Sequence, residues 1–570
     1  MCYIIIMQKI ENIRHSLAHL LAMAVLEKFP EAKLGIGPII ENGFYYDFGD
    51  ISISPKDLPK LEKKIKDLIK KDIKFEKEEV DAKKAKDTFT NQPYKIELIN
   101  ELKEKPTIYK SGNFTDLCAG PHVKSTKEIN PDAFKLTKIA GAYWRGSEKN
   151  PMLTRIYGLA FETKKELGEY LKILEEAEKR DHRKIGKELD LFSFHEEGPG
   201  FPFWHPKGTI LYNQLEDYIR KENEKRGYNE IMTPIILNKK LWETSGHWEK
   251  FKEDMYFCEI DKQEFAIKPM NCPGGLLIYK EDMRSYKDLP MRFSEFGLVH
   301  RHELSGVLHG LFRVRSFIQD DAHSFCAPNQ LNEEIIGMVD YAIDVYRKFG
   351  FDKYEIFIAT RPEKYIGEEK VWERATDSLK NALNQKKINY KIKEGEGAFY
   401  GPKIEFNIED AINRNWQLGT IQVDFSMPQR FEAFYIDDKG KKQTPVMIHR
   451  AILGSLERFI GILIEHYAGA FPFWLSPVQT QIIPVSEKFN DYGEKVLNEL
   501  KENNIRAEID KNNETLGKRI RNAEMQKIPY ILAVGEKEKN DKTVTVRERN
   551  KEKQETAKLD EFIKKIKKES

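Results

Sequence analysis

Three segments, MRFSEFGLVHRHE, LFRVRSFIQDDAHSFC and WQLGTIQVDFSM, restrict the fold most, because apolar and polar residues alternate along them with β-branched and aromatic enrichment. A period of two sends one face of each segment into a core and the other toward a polar space, the pattern of an antiparallel sheet. The polar face is unusual. Arg301, Glu303, Arg313, Gln319, Asp321 and His323 fall within one short hairpin-like span. So many polar groups on strands do not suit a core, and a planar guanidinium fork matches two phosphate oxygens at fixed geometry. A triphosphate is the guest such a face predicts.

With 570 residues, the chain exceeds what one core can serve, and roughly three to four domains are expected. The first block opens with IRHSLAHLLAMAVLEKF, whose helical spacing sets His15 and His19 one turn apart on one face. Strand-like pieces follow over 35–48 and 114–123, and a Lys/Glu-rich stretch over 164–183 reads as a connector helix. Gly/Pro punctuation in LDLFSFHEEGPGFPFWHPKG then opens a second unit, of α+β type. The last block alternates QTQIIPV, a helix, IRAEID, a helix, YILAVGE and VTVRER, as a small α/β unit does. The boundaries expected are a short extension at 1–9 and domains at 10–184, 185–475 and 476–570.

A net charge of +2 means that the whole molecule is no cationic sponge for nucleic acid. Lysine runs such as 60–71 and 564–568 read as solvated helix faces. Five cysteines, at 2, 118, 258, 272 and 326, are odd in number and scattered, which suits a reducing cytoplasm rather than a disulfide framework. The opening MCYIIIMQKI is too short to span a bilayer and has no leading positive region, so no membrane role is expected; Met7 is an alternative start.

The stretch FGLVHRHELSGVLHGLFRVRSFIQDDAHSFC is similar to motif 2 of class II aminoacyl-tRNA synthetases in its threonyl form. GSLERFIGILIEHYAG, with Arg458, resembles motif 3, and GYNEIMTPIILNKKLWETSGHWEKF, with Pro234, resembles motif 1 and its dimer interface. The resemblance implies an α+β multidomain chain: a class II antiparallel β-sheet catalytic core, an α+β editing domain before it and an α/β anticodon-binding domain after it. It also implies a homodimer that joins L-threonine to tRNA(Thr) at the expense of ATP. Arg301 would hold the α-phosphate, Glu303 would read the adenine amino group, and Arg313 and Arg458 would clamp the γ-phosphate, with Gln417 and Thr420 also at the nucleotide and Mg²⁺ bridging the phosphates. Lys403, in FYGPKIEF, would add charge near the threonine carboxylate. Catalysis would come from positioning and charge neutralisation, chiefly through Arg301, Lys403 and Arg458.

Cys272 in AIKPMNCPGG, His323 and His449 in TPVMIHRAILGS form a sound zinc set by residue type. Their wide separation gives no local support, and buried core residues are the plainer reading of residue type alone. Each segment, however, resembles a zinc-binding segment of threonyl-tRNA synthetases, which implies one Zn²⁺ per subunit. The physics explains the need. A hydrophobic pocket separates threonine from isosteric valine only about a hundredfold, whereas an ion that takes the amino nitrogen and the hydroxyl rejects valine. Gln319, Asp321, Tyr400 and Gln422, together with Gln417, would line the pocket, with Asp321 accepting the hydroxyl proton.

Serine keeps the hydroxyl and lacks only a methyl group, worth roughly 1 to 3 kcal/mol. Hydrolysis of Ser-tRNA at a second site is the remedy, and HSLAHLLAMAV with FTDLCAGPHV resembles that editing domain. His15, His19, Asp116, Cys118 and His122 carry over, with Lys95 in QPYKIEL an added candidate. Two histidines at i and i+4 with a Cys-x-x-x-His can bind zinc, yet a positioned water without metal is the reading preferred. The last block resembles the anticodon-binding domain of class IIa synthetases over DKNNETLGKRIRNAEMQKIPYILAVGEKE, which offers Lys518, Arg519 and Arg521 for RNA. The chain starts almost directly at the editing helix, so the ubiquitin-like TGS domain of many members is not expected. A synthetase-like RNA-binding protein without charging activity is the alternative; it predicts loss of a clamping arginine or a zinc ligand, and all are present.

Overall fold

The computed structural model describes residues 2–569, with side chains from Gln8 onward, so the choice between Met1 and Met7 as the start lies outside the described residues. Two compact units result, Met1–Glu175 and Glu176–Ser570.

In the first unit a helix, Cys2–Lys28, buries Leu17, Leu20, Leu21 and Val25 in a core shared with Phe44, Tyr46 and Phe48 of the strand Gly43–Gly49. That strand pairs antiparallel with Met152–Ala160, which pairs with Phe134–Tyr143. Each fully buried leucine contributes about 1.5–3 kcal/mol, so this face alone specifies how the helix sits. A separate antiparallel sheet joins Phe75–Glu79, Thr107–Ser111 and Phe114–Leu117. The lysine run near 60–71 forms the helix Leu58–Lys70, which buries Leu61, Ile65 and Leu68 and turns its lysines outward. Two expectations need correction. The strand that begins at Phe114 ends at Leu117, and the connector helix stops at Lys179, because the Asp181 side chain accepts the Arg183 N–H and starts a new helix, His182–Glu188.

The second unit is built on an eight-stranded sheet in the order Asn229–Glu230, Met291–His300, Ser316–Cys326, Val446–Ser455, Asn415–Asp424, Lys403–Glu409, Tyr354–Ala359, Lys391–Lys393. Its two outermost pairings are parallel and the inner ones antiparallel. The helices Leu331–Lys348 and Leu456–His466 supply the core behind it through Ile335, Val339, Phe459 and Leu463. Ser455 caps the latter by accepting the Arg458 N–H at 3.1 Å, which fixes where Arg458 leaves the helix. A five-stranded sheet, Ala507–Ile509, Thr480–Pro484, Tyr530–Val534, Thr543–Glu548 and Glu555–Lys558, closes the chain, with its first three strands parallel and the rest antiparallel. No helix among the described residues is long and apolar enough to cross a membrane, and Cys118, Cys258, Cys272 and Cys326 are free thiols.

Candidate functional site

Two clusters carry chemistry, one in each unit. In the second unit a cavity of about 320 Å³ opens on the polar face of the large sheet, lined by Cys272, Arg301, Gln319, Asp321, His323, Tyr400, Lys403, Thr420, Gln422 and His449, among others. Strand register explains the convergence. His323 stands directly opposite His449, which stands opposite Gln422, while Lys403 faces Gln422 from the next strand. Cys272 begins the helix Cys272–Lys280, where Gly274 packs tightly on Thr233 and a Cβ on Gly275 would stand 3.5 Å from His323 Nδ1.

The ligand atoms of Cys272, His323 and His449 all lie within 4.8 Å of one another, and all three residues are buried. One zinc ion at ordinary bond lengths wants its donors roughly 3.3–3.6 Å apart, so a single ion fits with small side-chain rotations. Burial, then Asp321 and Asp424, push the Cys272 thiol well above its ordinary range. Burial depresses His323, leaving a neutral ring with one nitrogen lone pair to offer. Among the described residues that ring makes no hydrogen bond; the His449 ring meets it edge-on at 5.0 Å. A thiolate is unfavourable here without a cation, and a divalent ion would answer both the thiolate and the nearby carboxylates.

The remaining lining is pre-arranged. Tyr400 donates to Gln422 Oε1 at 2.7 Å, and Gln422 donates to Thr420 Oγ1 at 3.0 Å. Asp321 accepts from Asn271 at 2.8 Å, and burial raises its carboxyl. Lys403 pairs with Glu405 at 2.7 Å. Arg301 is held by the Pro269 carbonyl at 3.3 Å and lies over Phe317 and Phe251; burial lowers its guanidinium. Arg458 is lowered by burial and by the like charge of Arg313, and its Nε has no partner among the described residues, an arrangement that an anion would relieve.

Four expected nucleotide residues lie outside the cavity lining. Arg313 is exposed, with its Nε 3.8 Å from Glu303, and Arg458 sits at the start of its helix. Gln417 is exposed and faces Asn407 beyond an irregularity in the strand pairing. Sequence reasoning missed His247, which is fully buried, 3.0 Å from Met270 Sδ and 3.9 Å from Cys272 Sγ, with its acidity set at about 3 by burial. It also missed Asp424, whose carboxylate lies 3.3 Å from His449 Nε2 and orients that ring. No local motif marked either one.

In the first unit a cavity of about 730 Å³ is lined by His15, His19, Lys95, Asp116 and Cys118, among others. His122 lies beside it, stacked on His15 at 4.1 Å. Cys118 Sγ lies 3.2 Å from His15 Nε2 and 3.3 Å from His122 Nε2. The far nitrogens are engaged as well, since His15 Nδ1 meets the Pro121 carbonyl at 3.1 Å and His122 Nδ1 meets Ser16 Oγ at 3.2 Å. Asp116 is buried between Lys95 at 2.5 Å, Tyr46 at 2.6 Å and His19 at 3.6 Å. Burial depresses His15, His19 and His122 and pushes the Cys118 thiol up to about 11, so the cluster is neutral near pH 7. Its four ligand atoms also lie within 4.8 Å of one another. Tyr46 was not anticipated, because it sits in an alternating strand that reads as ordinary core.

In the last sheet the three basic candidates part company. Lys518 and Arg521 are exposed on the helix Leu516–Met525. Arg519 is buried, its guanidinium bound to the Pro484 carbonyl at 2.9 Å and paired with Asp510, so its expected RNA contact is corrected to a structural one.

Models of three families match the chain: the tRNA synthetase class II core domain (G, H, P, S and T) over 256–467, the anticodon binding domain over 479–569, and the threonyl and alanyl tRNA synthetase second additional domain over 107–157. Threonine–tRNA ligase of Acetivibrio thermocellus is 56% identical over 558 residues, covering 97% of this chain and 87% of its own. That of Caldanaerobacter subterraneus is 55% identical over 564 residues, covering 97% and 86%. The crystal structure of the RNA binding domain of threonyl-tRNA synthetase from Cryptosporidium parvum is 42% identical, covers 68% of this chain and 98% of that one, and superposes with a TM-score of 0.67. A class II core, a second additional domain and more than half of all residues shared along almost the whole chain lead to one assignment: the chain belongs to the threonine–tRNA ligase family.

Proposed function

We propose that the chain activates L-threonine with ATP, transfers it to tRNA(Thr), and hydrolyses Ser-tRNA(Thr) in its first unit. The observation that carries this reading is the convergence of Cys272, His323 and His449 with Arg301, Gln319, Asp321, Tyr400, Lys403, Thr420 and Gln422 on one cavity. The domain limits proposed are 10–184 for editing, 185–475 for catalysis and 476–570 for the anticodon, with 1–9 as an extension.

Arg301 holds the α-phosphate while the threonine carboxylate attacks it and diphosphate leaves. Arg313 and Arg458 take the γ-phosphate, Glu303 reads the adenine amino group, and Mg²⁺ accompanies the nucleotide. Cys272, His323 and His449 would hold a zinc ion, which would supply a Lewis-acid position for the amino and hydroxyl groups of threonine that valine cannot match. Asp321, whose carboxyl is raised, accepts the hydroxyl proton, and the Tyr400–Gln422–Thr420 chain fixes the pocket wall. Lys403 neutralises charge near the carboxylate.

Serine passes this filter, and the first unit deals with it. A water held in that unit's cavity beside the Cys118 thiol and the neutral His15, His19 and His122 rings attacks the ester carbonyl of Ser-tRNA; the bond from that carbon to the ribose oxygen breaks, and a proton of the water passes to that oxygen, which leaves as the ribose hydroxyl. Lys95 and Asp116 fix His19 in the wall of that cavity. Exposed Met232, Ile235 and Ile236 support a homodimer through the segment 227–251, and Lys518 and Arg521 contact the tRNA. The cytoplasm is the proposed compartment.

ATP–pyrophosphate exchange screened with threonine, serine and valine, with metal content measured on the same protein, tests the reading. Exchange with threonine and serine but not valine, at one zinc per chain, is expected. Exchange driven by another amino acid, or by none, removes it.

A further inference from the structure

The loop that carries Arg313 is held from behind by a residue outside all three motif segments. His182 opens the helix His182–Glu188 and is fully buried. Its Nε2 accepts the Leu311 backbone N–H at 3.0 Å, so Nδ1 carries the proton and donates it to Glu465 Oε1 at 2.7 Å. The His182 backbone N–H goes to the same oxygen at 3.0 Å. With both ring nitrogens engaged, His182 keeps none for a metal, although Asp181 and Glu465 lie close.

Packing repeats what the hydrogen bonds do. The ring lies against Phe312 at 4.1 Å. A Cβ on Gly310, whose φ is +49°, would stand 2.2 Å from His182 Nε2, so the loop approaches the ring as closely as glycine permits. On its other side Phe312 meets Trp416 at 4.6 Å and the space left by Gly461 on the motif 3 helix. Glu465, in the last turn of that helix, is braced by Arg414 at 2.6 Å.

Leu311 is two residues from Arg313, and Glu465 shares a helix with Arg458. Two like charges that face one shared anion repel until it arrives, and the exposed Arg313 yields to that force unless the loop behind it is tied down. We propose that His182 is a positioning residue of the ATP site, tying the loop 309–313 to the helix of Arg458 so that Arg313 stays in reach of the γ-phosphate before nucleotide binds. The inference rests on the reading of Arg313 and Arg458 as the γ-phosphate clamp.

Steady-state ATP–pyrophosphate exchange on the full-length zinc-loaded enzyme tests it. His182→Phe keeps the ring on Phe312 and removes both nitrogens; the KM for ATP rises about tenfold, as expected for lost uniform binding, while the KM for threonine and the zinc content stay put. His182→Asn keeps a donor for Glu465 and gives up the Leu311 bond together with the ring's packing on Phe312; it serves if the phenylalanine variant does not fold, and a rise of the ATP KM in the same direction is expected. Arg313→Ala raises the ATP KM on its own, and adding His182→Phe to it brings no further loss. Additive effects, or an ATP KM within twofold of the parent in both His182 variants while Arg313→Ala is impaired, overturn the proposal and leave the clamp standing. An unaffected Arg313→Ala enzyme removes the clamp and the proposal with it.

Discussion

Each unit gathers a thiol and imidazoles whose ligand atoms lie within 4.8 Å of one another, yet the two clusters are wired differently. In the first unit most donors are already engaged by the protein itself: Cys118 lies between His15 and His122, and the far nitrogens of both rings meet Pro121 and Ser16, while the buried His19 Nδ1 is without a partner among the described residues. In the second the His323 ring makes no hydrogen bond among the described residues, Cys272 has only a distant contact with His247, and carboxylates stand near. Residue types alone therefore do not distinguish a metal centre from a hydrogen-bonded site. What distinguishes them is whether lone pairs are already spoken for and whether negative charge is left over, since a metal must displace every hydrogen bond that its ligands make.

The largest effect expected is on the second cluster. Cys272→Ser should lose zinc and, with it, more than about a hundredfold in threonine-dependent exchange, since even outer-shell changes at metal sites cost 10- to 100-fold. Metal analysis and exchange on the same sample check it; a variant that keeps both would show the thiol to be core packing. Removing the metal from the parent with a chelator should abolish exchange and leave Ser-tRNA hydrolysis intact. Hydrolysis that falls together with exchange would make the two clusters alike, and the comparison would collapse.

Cys118→Ala sharpens the other side. Ser-tRNA hydrolysis should drop on the order of a hundredfold, the range of a lost proton-transfer or orienting group, while threonine charging and metal content stay at parental levels. If serine misacylation does not accumulate, the first cavity has another purpose.

The strands of the large sheet and the one-turn spacing of His15 and His19 were legible because alternation and spacing are local, whereas Cys272, His323 and His449 lie far apart in the sequence and came only from the resemblance of their segments. What escaped depends on the fold. Tyr46 reads as a core aromatic until the strand Gly43–Gly49 is seen to aim its hydroxyl at Asp116. Asp424 and His247 become neighbours of the presumed metal ligands only once sheet and helix are assembled, and no pattern within either segment announces it. Arg519 shows the converse: a basic helix face reads as RNA-binding, but one turn of that face packs inward against Pro484 and Asp510. Lys95 was reachable from its segment, though not its burial against Asp116.

That burial sets up a smaller test. Burial lowers both His15 and His19, and the charge of Lys95 adds to it, so Lys95→Met should raise the pKa of both rings part of the way toward that of an ordinary imidazole. Hydrolysis should fall by at most about fourfold near pH 6, the limit for an imidazole of ordinary pKa near 6.5, and recover at pH 8, where such a ring is neutral again. A uniform loss at both pH values would point to damage to the fold around Asp116 instead.

The smallest effect is expected in the parent enzyme itself. His15, His19 and His122 lie below the ordinary imidazole value, and Cys118 is pushed up to about 11. Between pH 6.5 and 8.5 no member of that quartet changes charge: the imidazoles have already lost their protons and the thiol has not yet lost its own. Ser-tRNA hydrolysis, corrected for the background reaction with hydroxide, should therefore change less than about twofold across that window, because a titrating general base would bring close to a tenfold rise per unit below its pKa. A rise centred near 8.5 would mean that the thiol ionises at its ordinary value; the anion would then be the working group, and the first cluster would share the one property that makes the second suited to a metal.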